Sequence, residues 1–248
     1  DGAYSHVFYQ STKDENSELM DIMAGEAFDC SQKPIGGSED YIWSPDSKHI
    51  LYVSKKLSGA AYAVSTNSDI YEYNIETKET KNLTEDNKGY DTQPAFSSKG
   101  QLAWMQMKRD GFEADKNDII VLKDGLKINL TKDWDGTVNS FLWSNDGKKI
   151  FFNAPVDGTI QLFEIFVAKS FTPVVKQITN GTFNITGLIG QVDSKMAVTR
   201  TDMNHASEIY LVNLLNGTMA QLTHANDEAY KSIKFGKIEK RMIPTTDG

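Results

Sequence analysis

Arg109, Asp110, Glu113 and Asp115 crowd into the ten residues from Lys108 to Asn117. Carboxylates set beside a guanidinium in an irregular segment can hold a ligand's ammonium group through charge-assisted hydrogen bonds. Glu113 and Asp115 are the candidates for such an anchor, and Arg109 can orient one of them or bind carbonyl oxygens itself. The plainer reading of the same stretch is a solvated, charged loop. Elsewhere the chemistry is thin. No G-x-S-x-G nucleophile elbow occurs, and Cys30 sits in a Ser-Gln-Lys context without an activating motif. His6, His49, His205 and His224 lie far apart, with no H-x₃-H or H-E-x-x-H spacing for zinc. There is no P-loop and no G-x-G-x-x-G. The acids Asp14, Glu15, Asp21, Asp29, Glu39 and Asp40 miss the spacing of a calcium loop. The sequence therefore predicts no catalytic residue, no metal and no cofactor in this chain.

What must position these side chains is a repeated scaffold. Trp43-Ser44-Pro45-Asp46-Ser47-Lys48 returns as Phe96-Ser97-Ser98-Lys99-Gly100 and as Trp143-Ser144-Asn145-Asp146-Gly147-Lys148. A worn copy follows at Gly190 to Lys195, so the steps are 53, 47 and 47 residues. Leu83-Thr84, Leu130-Thr131, Ile178-Thr179 and Leu222-Thr223 keep the same beat, at 47, 48 and 44. Each copy of the first phrase reads as strand, tight turn, strand, because small and φ-permissive residues interrupt alternating aromatics. In the best-kept unit the strand candidates are Asp40 to Ser44, His49 to Ser54, Asp69 to Ile75 and Glu79 to Leu83. Third-strand phrases recur at Asp118 to Val121, Gln161 to Ile165 and Glu208 to Leu211. Four antiparallel strands in a period of about 47 residues make a β-propeller blade. No unit holds the amphipathic helix that a parallel βαβ fold requires.

The expected fold is all-β, a partial propeller of four to five four-stranded blades. The grid divides it into a partial blade at 1–37 and blades at 38–88, 89–136, 137–184 and 185–228, then an exit linker at 229–248. In the partial blade Ser5 to Gln10, Glu18 to Met23 and Phe28 to Gln32 look like strands. Ala229 to Ile243 reads as a basic, strand-like exit segment. Insertions at Lys55 to Asn67 and Lys108 to Asn117 break the rhythm between second and third strands, where function tends to sit. A partial propeller leaves open end faces, so self-association through them is expected.

Composition narrows the partners. A net charge of −8 argues against non-specific nucleic-acid binding. A single cysteine permits no internal disulfide, and no apolar run approaches a membrane span. Asn82, Asn129, Asn180, Asn184 and Asn216 begin N-x-S/T sequons, two of which are simply the Asn-Leu-Thr strand ends of the repeat. The opening Asp1-Gly2-Ala3-Tyr4 and the final Pro244-Thr245-Thr246-Asp247-Gly248 read as the edges of a piece of a longer protein.

The phrases Trp43 to Lys48, Ser68-Asp69-Ile70-Tyr71, Asn82-Leu83-Thr84 and Gly89-Tyr90-Asp91 resemble the propeller of the prolyl oligopeptidase family. The loop Arg109 to Asn117 and the leader Ser65 to Asp69 sharpen this to Bacteroidetes-type members of its dipeptidyl-peptidase V and acylaminoacyl-peptidase branch. The exit Gly236 to Lys240 through Gly248 is similar to the segment leading into their α/β-hydrolase domain. The resemblance covers the chain from Tyr4 onward. It departs at the Phe96 turn, which lacks Pro-Asp, and at the eroded Gly190 copy. It implies a periplasmic or secreted serine peptidase acting on short peptides, with its triad beyond Gly248. The propeller would then be a non-catalytic cap that gates and helps bind substrate, partnered by the hydrolase domain of the same polypeptide. Two alternatives remain at this level. One is a stand-alone TolB-like propeller acting as a protein-interaction platform. The other is a propeller lyase or metal enzyme, which needs His or Gln ligands clustered at a central channel.

Overall fold

A computed structural model describes residues 3–14, 16–33, 36–167 and 174–246. Asp1, Gly2, Glu15, Asp247 and Gly248 of the sequence reading lie outside that set. The described residues form one short ribbon and four four-stranded antiparallel sheets. The ribbon pairs β1 (Phe8–Tyr9) with β2 (Met20–Asp21). The first sheet is β3 (Tyr41–Trp43), β4 (His49–Ser54), β5 (Asp69–Asn74) and β6 (Thr80–Asn82). The second is β7 (Asp91–Phe96), β8 (Leu102–Gln106), β9 (Asp118–Lys123) and β10 (Leu126–Asn129). The third is β11 (Ser140–Trp143), β12 (Lys149–Val156), β13 (Thr159–Phe166) and β14 (Val175–Gln177). The fourth is β15 (Asn184–Val192), β16 (Lys195–Thr201), β17 (Glu208–Asn213) and β18 (Met219–Gln221). Every sheet is ordered as the chain runs, and β3, β7, β11 and β15 touch in turn along the inner side. This is a partial β-propeller. Its sheets are not closed into a ring.

The middle strands are apolar almost without interruption because both of their faces are buried. On β4, Ile50 and Tyr52 meet Val7, Ile22 and Met23 of the preceding segment, while Leu51 and Val53 meet Leu102 and Trp104 of the next sheet. On β12, Ile150, Phe152 and Ala154 join Ala103, Met105 and Val121, while Phe151 faces Ile185 and Met196. Successive side chains point to opposite faces of a strand, so one apolar run serves two interfaces. The core is therefore a series of layers between sheets, with no single centre.

The hairpin phrase works through its small residues. Ser44 and Ser144 accept the amides of His49 and Lys149, both at 2.9 Å, and donate to Asp46 and Asp146. The turns pass through positive φ at Ser47 (59°), Gly100 (76°), Gly147 (66°) and Asp193 (50°). The worn copy keeps a positive φ but turns more tightly: Val192 pairs directly with Lys195, whereas Trp43 pairs with Ile50 and Trp143 with Ile150.

Three expectations need correction. The insertion at Lys55 to Asn67, read as loop, contains a six-residue helix, α1 (Gly59–Val64). Ser5 to Gln10 and Glu18 to Met23 shrink to the two-residue strands β1 and β2, and Phe28 to Gln32 forms none. There Cys30 makes one ladder-like bond, from its amide to Ser5 O at 2.8 Å. The exit segment is not a strand either. It opens with a helical turn, α2 (Asp227–Tyr230), and has no strand as far as residue 246. Its alternation is used instead by Phe235, whose ring packs on His205 and Tyr230.

Strand direction assigns the faces. The hairpin turns after β3, β7, β11 and β15 lie on one face of the arc. The segments joining β4 to β5, β8 to β9 and β16 to β17, the entries into first strands and the departure from β18 share the other, here the loop face.

Candidate functional site

On the loop face the ends of three sheets converge on a cavity of about 330 Å³. Asp40 enters from just before β3, Thr92 and Gln93 from the head of β7, and Asn139 from just before β11. Met105, Met107, Glu113 and Asn117 come from the end of β8 and the loop beyond it. Two backbone features shape the wall. β7 carries a bulge between Thr92 and Ala95, with Gln93 at φ 54°, which re-aims the side chain next to Pro94. Gly89 lies so close to Met107 that a Cβ there would sit 2.3 Å from its carbonyl oxygen, so Tyr90 can reach the cavity only behind a glycine.

The cavity is acidic. Asp40 is 2% exposed and burial pushes its carboxyl up to about 6, although the amide of Gln32 donates to it at 3.0 Å. Glu39 and Glu113 add carboxylates, and the bordering cation, Lys33, is paired with Asp29 at 2.9 Å. Tyr90 is raised above the usual phenol range by burial and then by the charge of Glu113. Asp91, next in the chain, is fully buried and accepts Trp104 Nε1 and Gln106 Nε2 at 2.7 Å and Asn87 Nδ2 at 2.8 Å. Burial outweighs those bonds and lifts it to about 7. It braces the head of β7 beneath the cavity.

The structure separates the three residues singled out in the loop. Asp115 accepts Arg109 Nε at 3.0 Å and Nη2 at 2.7 Å, and the backbone amides of Lys108 and Arg109. Those donors hold its carboxyl at about 2, so it closes the loop upon itself. Arg109 also stacks on Phe112, 4.2 Å from the ring centre. Glu113 alone of the three borders the cavity, and among the described residues no hydrogen bond or ion pair reaches it.

Sequence reasoning missed the partner of this loop. Asp110 accepts Ser65 Oγ at 2.6 Å and the Thr66 amide at 2.8 Å, and Gly111 donates its amide to Thr66 Oγ1 at 2.9 Å. The two insertions are thus clasped together. The first insertion reaches on, through Tyr62 OH donating to Lys33 O at 3.1 Å. Both were visible as breaks in the repeat; their contact spans 45 residues and leaves no local signal. Asp40 and Gln93, from separate sheets, were missed for the same reason.

No catalytic pair emerges among the described residues. His6, His205 and His224 face Asp21, Asp202 and Asp227, and His49 meets Asn74 and Asp46. None of these imidazoles bonds a serine. Cys30 is buried and pushed up to about 12, a thiol held neutral. No group of three or more His, Cys, Asp or Glu among the described residues could hold a metal ion.

No protein-family description matches the chain. Dipeptidyl-peptidase 5 of Porphyromonas gingivalis is 37% identical over 231 residues, 92% of this chain and 33% of that protein. Dipeptidyl-peptidase 5 of Porphyromonas endodontalis is 35% identical over 247 residues, 98% of this chain and 35% of the relative. The chain is a homologue of part of dipeptidyl-peptidase 5. It spans about a third of the length of these relatives. Solved structures agree on the fold. A puromycin-hydrolysing peptidase of Mycobacterium tuberculosis matches with TM-score 0.62 at 14% identity, over 90% of this chain and 39% of the other. The acylaminoacyl peptidase of Pyrococcus horikoshii gives 0.57 at 19%, over 78% and 28%. TolB of Acinetobacter baumannii gives 0.51 at 17%, over 88% and 48%. The partial propeller fold is shared with these two peptidases and with TolB.

Proposed function

We propose that this chain is the non-catalytic propeller segment of a dipeptidyl-peptidase-type serine peptidase, and that its loop face gates and helps bind short peptides. One observation carries the reading: Glu113, without a bonding partner among the described residues, borders an acidic cavity on the face from which the exit segment leaves. A peptidase that counts from a free N-terminus must fix an ammonium group. A carboxylate in a partly enclosed site does this more strongly than one in open water. Asp115 and Arg109 contribute by holding the loop in shape, and the hydrolase domain that would carry the chemistry packs on this face.

The test uses the chain itself. Ala-Ala amide should bind at least about tenfold more tightly than its N-acetylated form, as a charge-assisted bond implies. Glu113→Gln should remove most of that difference, with Asp115 unchanged as a control for loop structure. Equal affinity for both peptides in the unaltered chain defeats the anchor. The chain alone should also show no hydrolysis of dipeptidyl chromogenic substrates. The likeness to TolB favours a second reading, a stand-alone interaction platform; indifference to peptides of either kind is the outcome that reading requires.

The periplasmic or secreted location is part of the same proposal. No helix among the described residues is long and apolar enough to cross a membrane. Self-association belongs here as well: Tyr4, Phe8, Tyr41 and Trp43 are exposed at one end of the arc, and Ile189, Val192 and Leu215 at the other.

A further inference from the structure

Arg200 stands at the loop-face end of β16, its guanidinium 4.3 Å from the centre of the Phe183 ring and 4.6 Å from that of Tyr210. Cation–π contacts with two rings hold the guanidinium in place, and neither ring is a carboxylate or carbonyl acceptor for its five N–H donors. Among the described residues no hydrogen bond or ion pair reaches this side chain. It opens into a cavity of about 540 Å³, where β16, β17 and β18 meet the exit segment at Tyr230 and Lys231.

Three carboxylates share that cavity, and each is already engaged. Glu208 lies directly across the ladder from Arg200. It turns instead to the Thr223 hydroxyl and to the backbone and side-chain amides of Asn226, at 3.1 and 3.0 Å. Asp202 accepts His205 Nδ1 at 2.8 Å and the amides of Asn204 and His205 at 2.8 and 3.0 Å. Asp227 faces His224 at 3.0 Å, and Lys231 pairs with Glu228 at 2.6 Å. The cation left with an unfilled planar fork is Arg200.

We propose that this cavity is a carboxylate subsite, in which Arg200 receives the carboxylate of a short peptide, at its C-terminus or on a side chain, through paired N–H···O bonds. The fork matches a carboxylate in geometry, and its immobilisation between rings lowers the ordering cost of binding. The cavity shares the loop face with Glu113. The proposal rests on short peptides as ligands and is independent of the ammonium anchor.

The test is a calorimetric or NMR titration of the chain with three acetylated probes, none of which carries an ammonium group. They are N-acetyl-Ala-Ala as the free acid, the same dipeptide as its amide, and N-acetyl-Asp-Ala amide. At least one acid should bind about tenfold more tightly than the neutral amide, and which acid does so identifies the source of the carboxylate. Arg200→Met should abolish the preference. Arg200→Lys keeps a cation over the rings but loses the fork, so it should lose most of the preference even if the Met variant fails to fold. Acids no better than the amide, or a preference that survives Arg200→Met or is undiminished in Arg200→Lys, would overturn the subsite. Loss of the ammonium anchor alone would leave all of these results unchanged.

Discussion

Thr131 donates its hydroxyl to Asp118 at 2.7 Å, and the same oxygen accepts the amide of Ile119 at 3.0 Å. The residue that follows the fourth strand thus pins the start of the third. Thr84 does this to Asp69 and Ile70, at 3.3 and 3.0 Å, and Thr179 to Gln161 and Leu162, at 2.8 and 2.9 Å. Thr223 bonds Glu208 and accepts the Ile209 amide at 2.8 Å. Two phrases of the repeat keep one beat because they form one clasp. It closes each sheet at the loop face, directly beneath the segments that build the cavities.

Replacing Thr131 by Val keeps the volume and removes both bonds, leaving a buried amide without its acceptor. Unfolding in urea should show a loss of about 1–3 kcal/mol. A change within about 0.5 kcal/mol would mean the clasp adds little to stability.

Trp143 and Trp43 head the same phrase but live differently. Trp143 is 7% exposed and donates Nε1 to Ala95 O at 3.1 Å, bridging two sheets, while Trp43 is 47% exposed. Trp143→Phe should cost about 1–3 kcal/mol and Trp43→Phe less than about 0.5. Comparable losses at the two positions would contradict the layered packing.

Asp91 supplies a pH signature. Its folded value near 7 lies above that of an unfolded carboxylate, so the folded chain holds the proton across the interval between them. Stability should therefore fall as pH rises from about 4 to 7, by a few kcal/mol at most. Asp91→Asn removes that contribution. Melting temperatures of variant and parent should converge, or cross in favour of the variant, on going from pH 5 to pH 8. A constant difference across this range rules out a raised Asp91.

Asp110 ties the two insertions together. Asp110→Ala should speed amide hydrogen exchange in residues 57–66 at least about tenfold, while β4 and β5 keep their protection. Unchanged exchange in that segment would show the clasp to be dispensable.

The propeller was legible in the sequence because its instructions are local. A Ser-x-Asp turn, an alternating strand and a Leu-Thr strand end each act over a few residues, and repetition multiplies the signal. His49 to Ser54 was read to the residue, since both faces of that strand are apolar and the turn before it is explicit. The exit segment was misread because alternation alone does not make a strand; a neighbouring edge must accept it, and Phe235 found His205 and Tyr230 instead. What only the tertiary structure decided is which charges are free. The loop Lys108 to Asn117 offers Glu113 and Asp115 on equal terms in the sequence. The fold gives Asp115 to Arg109 and leaves Glu113 at a cavity whose other walls come from three sheets. Likewise Arg200 gains its isolation only because Glu208, its cross-strand neighbour, is captured by Thr223 and Asn226. Each charged group settles where its competing partners meet in space, and the walls around Glu113 include residues as distant along the chain as Gln32.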